Sequence, residues 1–254
     1  MKKIICLLSI LLLVSCTTNS KDSLSVVVPS GAPSLAFYNQ IDNSNFYTSS
    51  AQNIVSQMFS NNGEDIIVLD TINGIRAINK NADYKLAATI TFGNFYIAST
   101  GLDENKTMDK DDYIVLFSQN ATPDIIFHNI YGNSFDENIY YVDAVSDALA
   151  CLLKGINISD DNMSINEKYV DYVMIAEPAL QIALAQNKDA YIYQNLQDLY
   201  YEKNNSKMIQ ASIFVSNRLE KKTIDDYLDK IKNNAYIPRQ IQDIYNLRTK
   251  RTNH

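Results

Sequence analysis

The chain has 254 residues, 46% of them hydrophobic, with 22 Lys and Arg against 29 Asp and Glu for a formal net charge of −7. That acidic balance excludes nucleic acid as a partner, because such binding is carried by clustered Lys and Arg on the phosphate backbone; the short basic tail, Arg248, Lys250 and Arg251, reads as a solvated chain end. With only His128 and the terminal His254, a His-based metal centre or a Ser/His/Asp triad lacks material, and no metal or cofactor is expected.

In chain order, Lys2 and Lys3 precede an apolar run over residues 4–14. This is the pattern of a secretory signal, since a helix spanning a bilayer needs about 20 apolar residues. Residues 13–16, Leu-Val-Ser-Cys, resemble the bacterial lipobox, in which cleavage leaves the cysteine first and joined to a diacylglycerol. The expectation is a signal over residues 1–15, a lipid anchor on Cys16, a lipidated tether over 16–23 and an extracytoplasmic remainder. Two or three acyl chains, at about 0.8 kcal/mol per buried methylene, anchor stably where one chain does not. Losing Lys2 and Lys3 makes the mature chain more acidic still, and its length suits two small lobes, each with a core. Cys151 is then the one remaining thiol, so no intramolecular disulfide is possible; within Val145, Ala148, Leu149 and Leu152 it reads as a small core residue. His128 reads as an ordinary helix residue.

From residue 24 the chain alternates short apolar runs, small polar turns and helical patterns. Strands are expected at 24–29, 45–48, 66–69, 113–117, 139–142 and 172–175. Helices are expected after Ser30-Gly31-Ala32-Pro33-Ser34, after Ser49-Ser50, after Asp70-Thr71, from Pro123 to about Tyr131, over 144–153 and over 177–186. Residues 155–167 are polar and aperiodic and read as a surface loop; 95–98, 190–194 and 209–216 are further strand candidates, and two helices, marked by Ile224, Leu228 and Ile231 and then by Ile241, Ile244 and Tyr245, close the chain. Repeated βα units imply a largely parallel sheet covered on both faces. The composition changes at Ser99-Thr100-Gly101, which places a lobe boundary there.

In an open parallel α/β sheet, ligands bind where strands end and loops lead into helices. Those loops hold Ser30, Gly31, Ala32, Ser49, Thr71, Asn120, Ala121, Thr122 and Glu177, which offer hydroxyls, amides and free N–H groups at helix starts. Each such start favours an anionic or acceptor group by about 0.3–1 kcal/mol. The loops carry no Arg or Lys, so a small or weakly charged ligand is favoured over a phosphate-sized dianion. Phe92 and Tyr96, near the expected crossing, offer faces for a planar ligand or fill a core. Glu177 can meet a ligand amine or simply interact with its own helix start.

At these loops the sequence resembles the substrate-binding proteins of ABC importers, in the nitrate/sulfonate/taurine and thiamine-pyrimidine class. The likeness rests on Val26-Val27-Val28-Pro29-Ser30-Gly31-Ala32-Pro33-Ser34, on Gly63-Glu64-Asp65-Ile66-Ile67, on Ser118-Gln119-Asn120-Ala121-Thr122-Pro123 and on Ile175-Ala176-Glu177-Pro178-Ala179-Leu180. It implies an α/β, two-lobed type II periplasmic-binding fold, each lobe a mainly parallel sheet flanked by helices. Lobe one would comprise residues 24–99 and 208–254 and lobe two residues 100–207, with hinge crossings near Ser99 and Asn205. It also implies a monomer that holds a small organic or oxyanionic solute (sulfonate, nitrate, bicarbonate or thiamine-pyrimidine type) between the lobes and delivers it to an ABC permease and its ATPase. The chain departs from the family in the insertion over 155–167 and in ending after two C-terminal helices. Rival readings are a sensor or orphan binding lipoprotein, and an enzyme on the same fold, against which the lipobox and the lack of a cleft lysine argue.

Overall fold

The computed structural model describes residues 24–37, 40, 45–100, 105–154 and 170–234. The expected signal, Cys16 and its tether, the whole 155–167 insertion and the second C-terminal helix lie outside them. The strands, in chain order, are β1 (Val26–Pro29), β2 (Phe46–Ser49), β3 (Ile66–Asp70), β4 (Tyr84–Phe92), β5 (Phe95–Thr100), β6 (Ile114–Phe117), β7 (Ile139–Val142), β8 (Tyr172–Ala176), β9 (Ala190–Asn195) and β10 (Ile209–Ser216). The helices are α1 (Ala32–Leu35), α2 (Ala51–Met58), α3 (Thr71–Asn79), α4 (Thr122–Tyr131), α5 (Val145–Lys154), α6 (Ala179–Gln186), α7 (Leu196–Asn204) and α8 (Lys221–Asn234). None is long and apolar enough to cross a membrane.

The strands form two five-stranded sheets, ordered β2-β1-β3-β10-β4 and β7-β6-β8-β5-β9. The central strands β3, β6 and β8 are continuous apolar runs, buried along almost their whole length, as strands covered on both faces should be. The edges carry the mixed segments Phe-Tyr-Thr-Ser of β2 and Ile-Tyr-Tyr-Val of β7. In the first sheet, alternate residues separate onto two faces, as the two-residue period of a strand requires. Val26, Val28, Ile66, Val68 and Ile213 pack with Ile224 and Ile231 of α8, whereas Val27, Ile67, Leu69 and Phe214 pack with Ile54 and Met58 of α2 and Ala77 of α3.

Each sheet is mainly parallel in strand direction, as expected, and mixed through one reversed strand: β1 pairs in parallel with β2 and β3, and β6 with β7 and β8, but β10 runs antiparallel to β3 and β4, and β5 antiparallel to β8 and β9. The reversed strand is in both cases the one entered when the chain crosses between sheets. The crossing itself is earlier than Ser99, because β5 belongs to the second sheet. It lies at Gly93-Asn94, whose φ values of 72 and 70° fall in the left-handed region that glycine and asparagine tolerate best. The composition change near Ser99 marks the end of β5. The return crossing follows α7 at Asn205, φ 50°, and the Gly93 N–H donates to the Met208 carbonyl at 2.8 Å, so the two crossings are tied to each other.

Close approach explains Gly74 on α3. A Cβ built there would lie 2.0 Å from a ring carbon of Phe214 on β10, and that ring is fully buried. Gly74→Ala is expected to lower the unfolding free energy by about 1–3 kcal/mol through overpacking, despite the better helix propensity of alanine. Urea unfolding of the variant checks this; an unchanged midpoint would contradict it.

Candidate solute-binding cleft

The parallel strands β1, β2 and β3 of one lobe and β6, β7 and β8 of the other end in the loops that open helices. At the end of β3, Asp70 caps α3: its Oδ1 accepts the Asn73 N–H at 3.0 Å, a standard use of Asp before a first helical turn. At the end of β6, the chain turns through Ser118 and Asn120, with φ of 57 and 61°, before α4 begins at Thr122. Asp124, in the first turn of α4 and 7% exposed, holds that turn in place. Its Oδ2 accepts the Asn120 N–H at 2.7 Å, and its Oδ1 accepts the Tyr141 hydroxyl at 2.7 Å and faces His128 Nδ1 at 2.9 Å.

The two helix starts meet. The Thr122 N–H donates to Asp70 Oδ2 at 3.1 Å, so one carboxylate of the first lobe serves α3 through one oxygen and α4 through the other. Arg76, further along α3, donates to the Asn120 carbonyl. Burial raises the Asp70 pKa, against the hydrogen bonds from Thr122, Asn73 and Ile72 that hold it down. Thr122 is 3% exposed, and its hydroxyl lies near enough to influence that carboxyl yet makes no hydrogen bond of ordinary geometry.

The structure therefore gathers Thr71, Asn120, Ala121 and Thr122 at one junction. Ala121 is the buried residue preceding α4. Thr71 is already engaged, donating to the Gln210 carbonyl at 3.1 Å and lying 2.8 Å from Ser212 Oγ; it ties α3 to β10. Ser30 is exposed in the bend after β1, and Gly31, at φ 109°, has open space where a Cβ would stand. Ala32 opens α1, and Ser49 ends β2, both half-buried. Its neighbour Ser50 caps α2 by accepting the Asn53 N–H at 3.3 Å.

Phe92 and Glu177 sit at the crossing. Phe92, 49% exposed, lines a cavity of about 450 Å³ with Gln197, Asp198, Tyr201, Glu202 and Lys207, and the Lys207 ammonium lies 5.9 Å from its ring centre. The Glu177 carboxylate accepts Gln181 Nε2 at 2.6 Å, and its N–H faces the Asn94 carbonyl at 3.4 Å. Cys151 is half-buried against the core of the second lobe, and burial pushes its thiol pKa up, the opposite of what an activated nucleophile needs.

Sequence reasoning missed Asp70 as a site residue and Arg76 altogether. Asp70 carried a readable signal, an Asp between a strand and a helix, but its second partner is 52 residues away. The loops do lack Arg and Lys, yet Arg76 reaches the junction from within its helix.

No protein-family model matches the sequence, and no curated protein matches it significantly. Solved structures do. An ABC transporter structure from Parabacteroides distasonis aligns with TM-score 0.63 and 20% identity over 82% of this chain and 70% of that one. The periplasmic aliphatic sulphonate binding protein SsuA of Escherichia coli aligns with TM-score 0.60 and 15% identity over 87% and 75%. A ligand-binding component of an ABC-type import system from Staphylococcus aureus, with zinc bound, aligns with TM-score 0.60 and 9% identity over 84% and 72%. These likenesses show the fold, the type II periplasmic-binding-protein fold of two mixed five-stranded sheets flanked by helices.

Proposed function

We propose that this chain is the solute-binding receptor of an ABC importer, held outside the cytoplasm by a lipid on Cys16, and that it binds a small organic solute between its lobes as a monomer. The observation that carries this reading is the junction of α3 and α4, where the strand-end loops of the two lobes meet at Asp70 and Thr122. Such a junction makes a two-state element: the paired crossings at 93–94 and 205–208 let the lobes part, and groups from both sides close on a solute. Only contacts that differ between open and closed forms can drive closure, and the permease with its ATPase would read the closed form.

The solute contacts belong to the loops of both lobes, with Ser30, Gly31, Ala32 and Ser49 on one side, Asn120, Ala121, Thr122 and Glu177 on the other, Thr71 at the junction and Phe92 at the crossing. Binding rather than catalysis fits this set, which supplies hydrogen-bonding groups and helix starts, while Cys151, packed on the second-lobe core and with its thiol pKa raised by burial, lies outside it.

The test is a thermal-shift screen of the full-length protein in detergent against sulfonates, nitrate, bicarbonate, thiamine pyrimidines, riboflavin and amino acids, with calorimetry on any hit. A solute at 100 times its Kd stabilises the folded form by about 2.7 kcal/mol, well within reach of such a screen. One solute class binding one-to-one is the expected result. Silence across the panel counts against the receptor reading.

A further inference from the structure

The start of α4 presents the Thr122 N–H, a group suited to an anion, and in this chain it is already filled by a side chain of the first lobe. We propose that Asp70 is a built-in anion which occupies that position, latches the lobes through the Thr122 N–H and makes the cleft select against free oxyanions, in favour of a neutral or cationic organic solute. This deepens the receptor reading and rests on it.

Four observations converge on it. α4 is ten residues long and its first N–H, that of Thr122, points at Asp70 Oδ2 at 3.1 Å, as it would at a bound carboxylate or sulfonate. The other Asp70 oxygen is fixed by the Asn73 N–H at 3.0 Å, so the carboxylate is held by two helix starts at once. The Thr122 hydroxyl beside it is buried and makes no hydrogen bond of ordinary geometry, though it lies close enough to Asp70 to favour the carboxylate, a second group suited to an acceptor at the same point. Arg76, the cation at the junction, is engaged by the Asn120 carbonyl.

A free oxyanion at this place would either displace Asp70 or sit beside it against like charge, and both weaken binding. A neutral solute meets no such penalty. For a cation the Asp70 carboxylate is itself a partner, and the Asp70–Thr122 bond is what its arrival would exchange.

The experiment measures the affinities of methanesulfonate, sulfate and nitrate for the full-length protein in detergent, at constant ionic strength, in the wild type, Asp70→Asn and Asp70→Ala. Asn keeps a capping oxygen for α3 while removing the charge, so Asp70→Asn carries the test if Asp70→Ala does not fold. The expected result is at least about a tenfold gain in affinity for one or more of the oxyanions in a folded variant. A gain below that in folded Asp70→Asn, whether the wild type binds oxyanions or not, overturns the proposal. Failure of the receptor reading shows separately, as silence of the wild type toward the neutral and cationic solutes of the wider screen, and leaves the oxyanion ratio readable.

Discussion

Asp65→Ala is expected to lower the unfolding free energy by about 2–4 kcal/mol. Asp65, at the start of β3 and far along that strand from the cleft, has a side chain 5% exposed. Its Oδ2 accepts both the N–H and the hydroxyl of Ser25 at 3.0 Å, and its Oδ1 accepts Nε and Nη2 of Arg218 at 3.0 and 2.8 Å. One carboxylate therefore joins the chain entering β1, the start of β3 and the turn after β10. Arg218 also donates to the Gly63 carbonyl at 2.6 Å, beside a glycine whose Cβ would come within 2.4 Å of the Gln57 carbonyl oxygen. Arg218→Ala should cost less than Asp65→Ala, because the guanidinium side chain is 41% exposed and Ser25 still satisfies the other carboxylate oxygen. Urea unfolding of both variants measures this order; a loss below about 1 kcal/mol for Asp65→Ala would show the network to be incidental.

In the second lobe Asp124, in the first turn of α4, is the carboxylate at the cleft that joins several segments, and its loss is expected to reach both stability and binding. Asp124→Ala strands the Tyr141 hydroxyl, frees the Asn120 N–H and releases the turn that presents Thr122 to Asp70. A stability loss of about 2–4 kcal/mol follows from removing charge-assisted bonds at a site 7% exposed. Solute stabilisation should fall with it, while a variant that keeps full solute response would place the cleft elsewhere.

This prediction has a pH dependence. Burial lowers the His128 pKa, but the carbonyl and carboxylate of Asp124, together with Asp136, outweigh it and leave the value raised above 6.5. A pKa raised on folding gives stability that is complete below the ordinary value and lost as pH rises through the folded one. The difference in Tm between wild type and Asp124→Ala should therefore be larger at about pH 6 than at about pH 8; a difference that widens with pH would contradict the assignment.

Much of the architecture was legible because the strands of a covered sheet are written as unbroken apolar runs. The spans 139–142 and 209–216 coincide with β7 and β10, and the helix expected after Asp70-Thr71 is α3. β4 was harder to read, since Lys85, Ala87 and Ala88 interrupt any alternation along an edge strand of nine residues. α7, Leu-Gln-Asp-Leu-Tyr-Tyr-Glu-Lys-Asn, carries a stripe of only three apolar residues, Leu196, Leu199 and Tyr200, against the second-lobe core, and starts at its cap, Asn195, which accepts the Gln197 N–H at 3.0 Å. Sheet membership of β5 was not readable at all, because pairing with β8 and β9 joins residues 70 or more positions apart in one ladder and is not a local property.

The site was legible as a set of loops but not as a set of bonds. Ser118 and Asn120 adopt left-handed conformations that suit a turn of small polar residues, which is why that loop could be recognised. What a hydroxyl meets depends on distant segments: Thr71 is committed to Gln210 and Ser212, whereas the Thr122 hydroxyl lies beside Asp70 of the first lobe. Asp70 is both the cap of α3 and a contact between lobes. Its second role comes from the way the lobes meet.

The measurement that bears hardest on the receptor reading is the distance between spin labels at exposed Ser50 of the first lobe and exposed Ser146 of the second, with Cys6, Cys16 and Cys151 replaced, titrated with the solute that the screen identifies. A receptor should show two interlobe distances in slow exchange, with the solute shifting the population toward one of them in proportion to one-to-one binding. A single distance, unchanged at saturating solute, would contradict a mechanism in which the lobes close on what they carry.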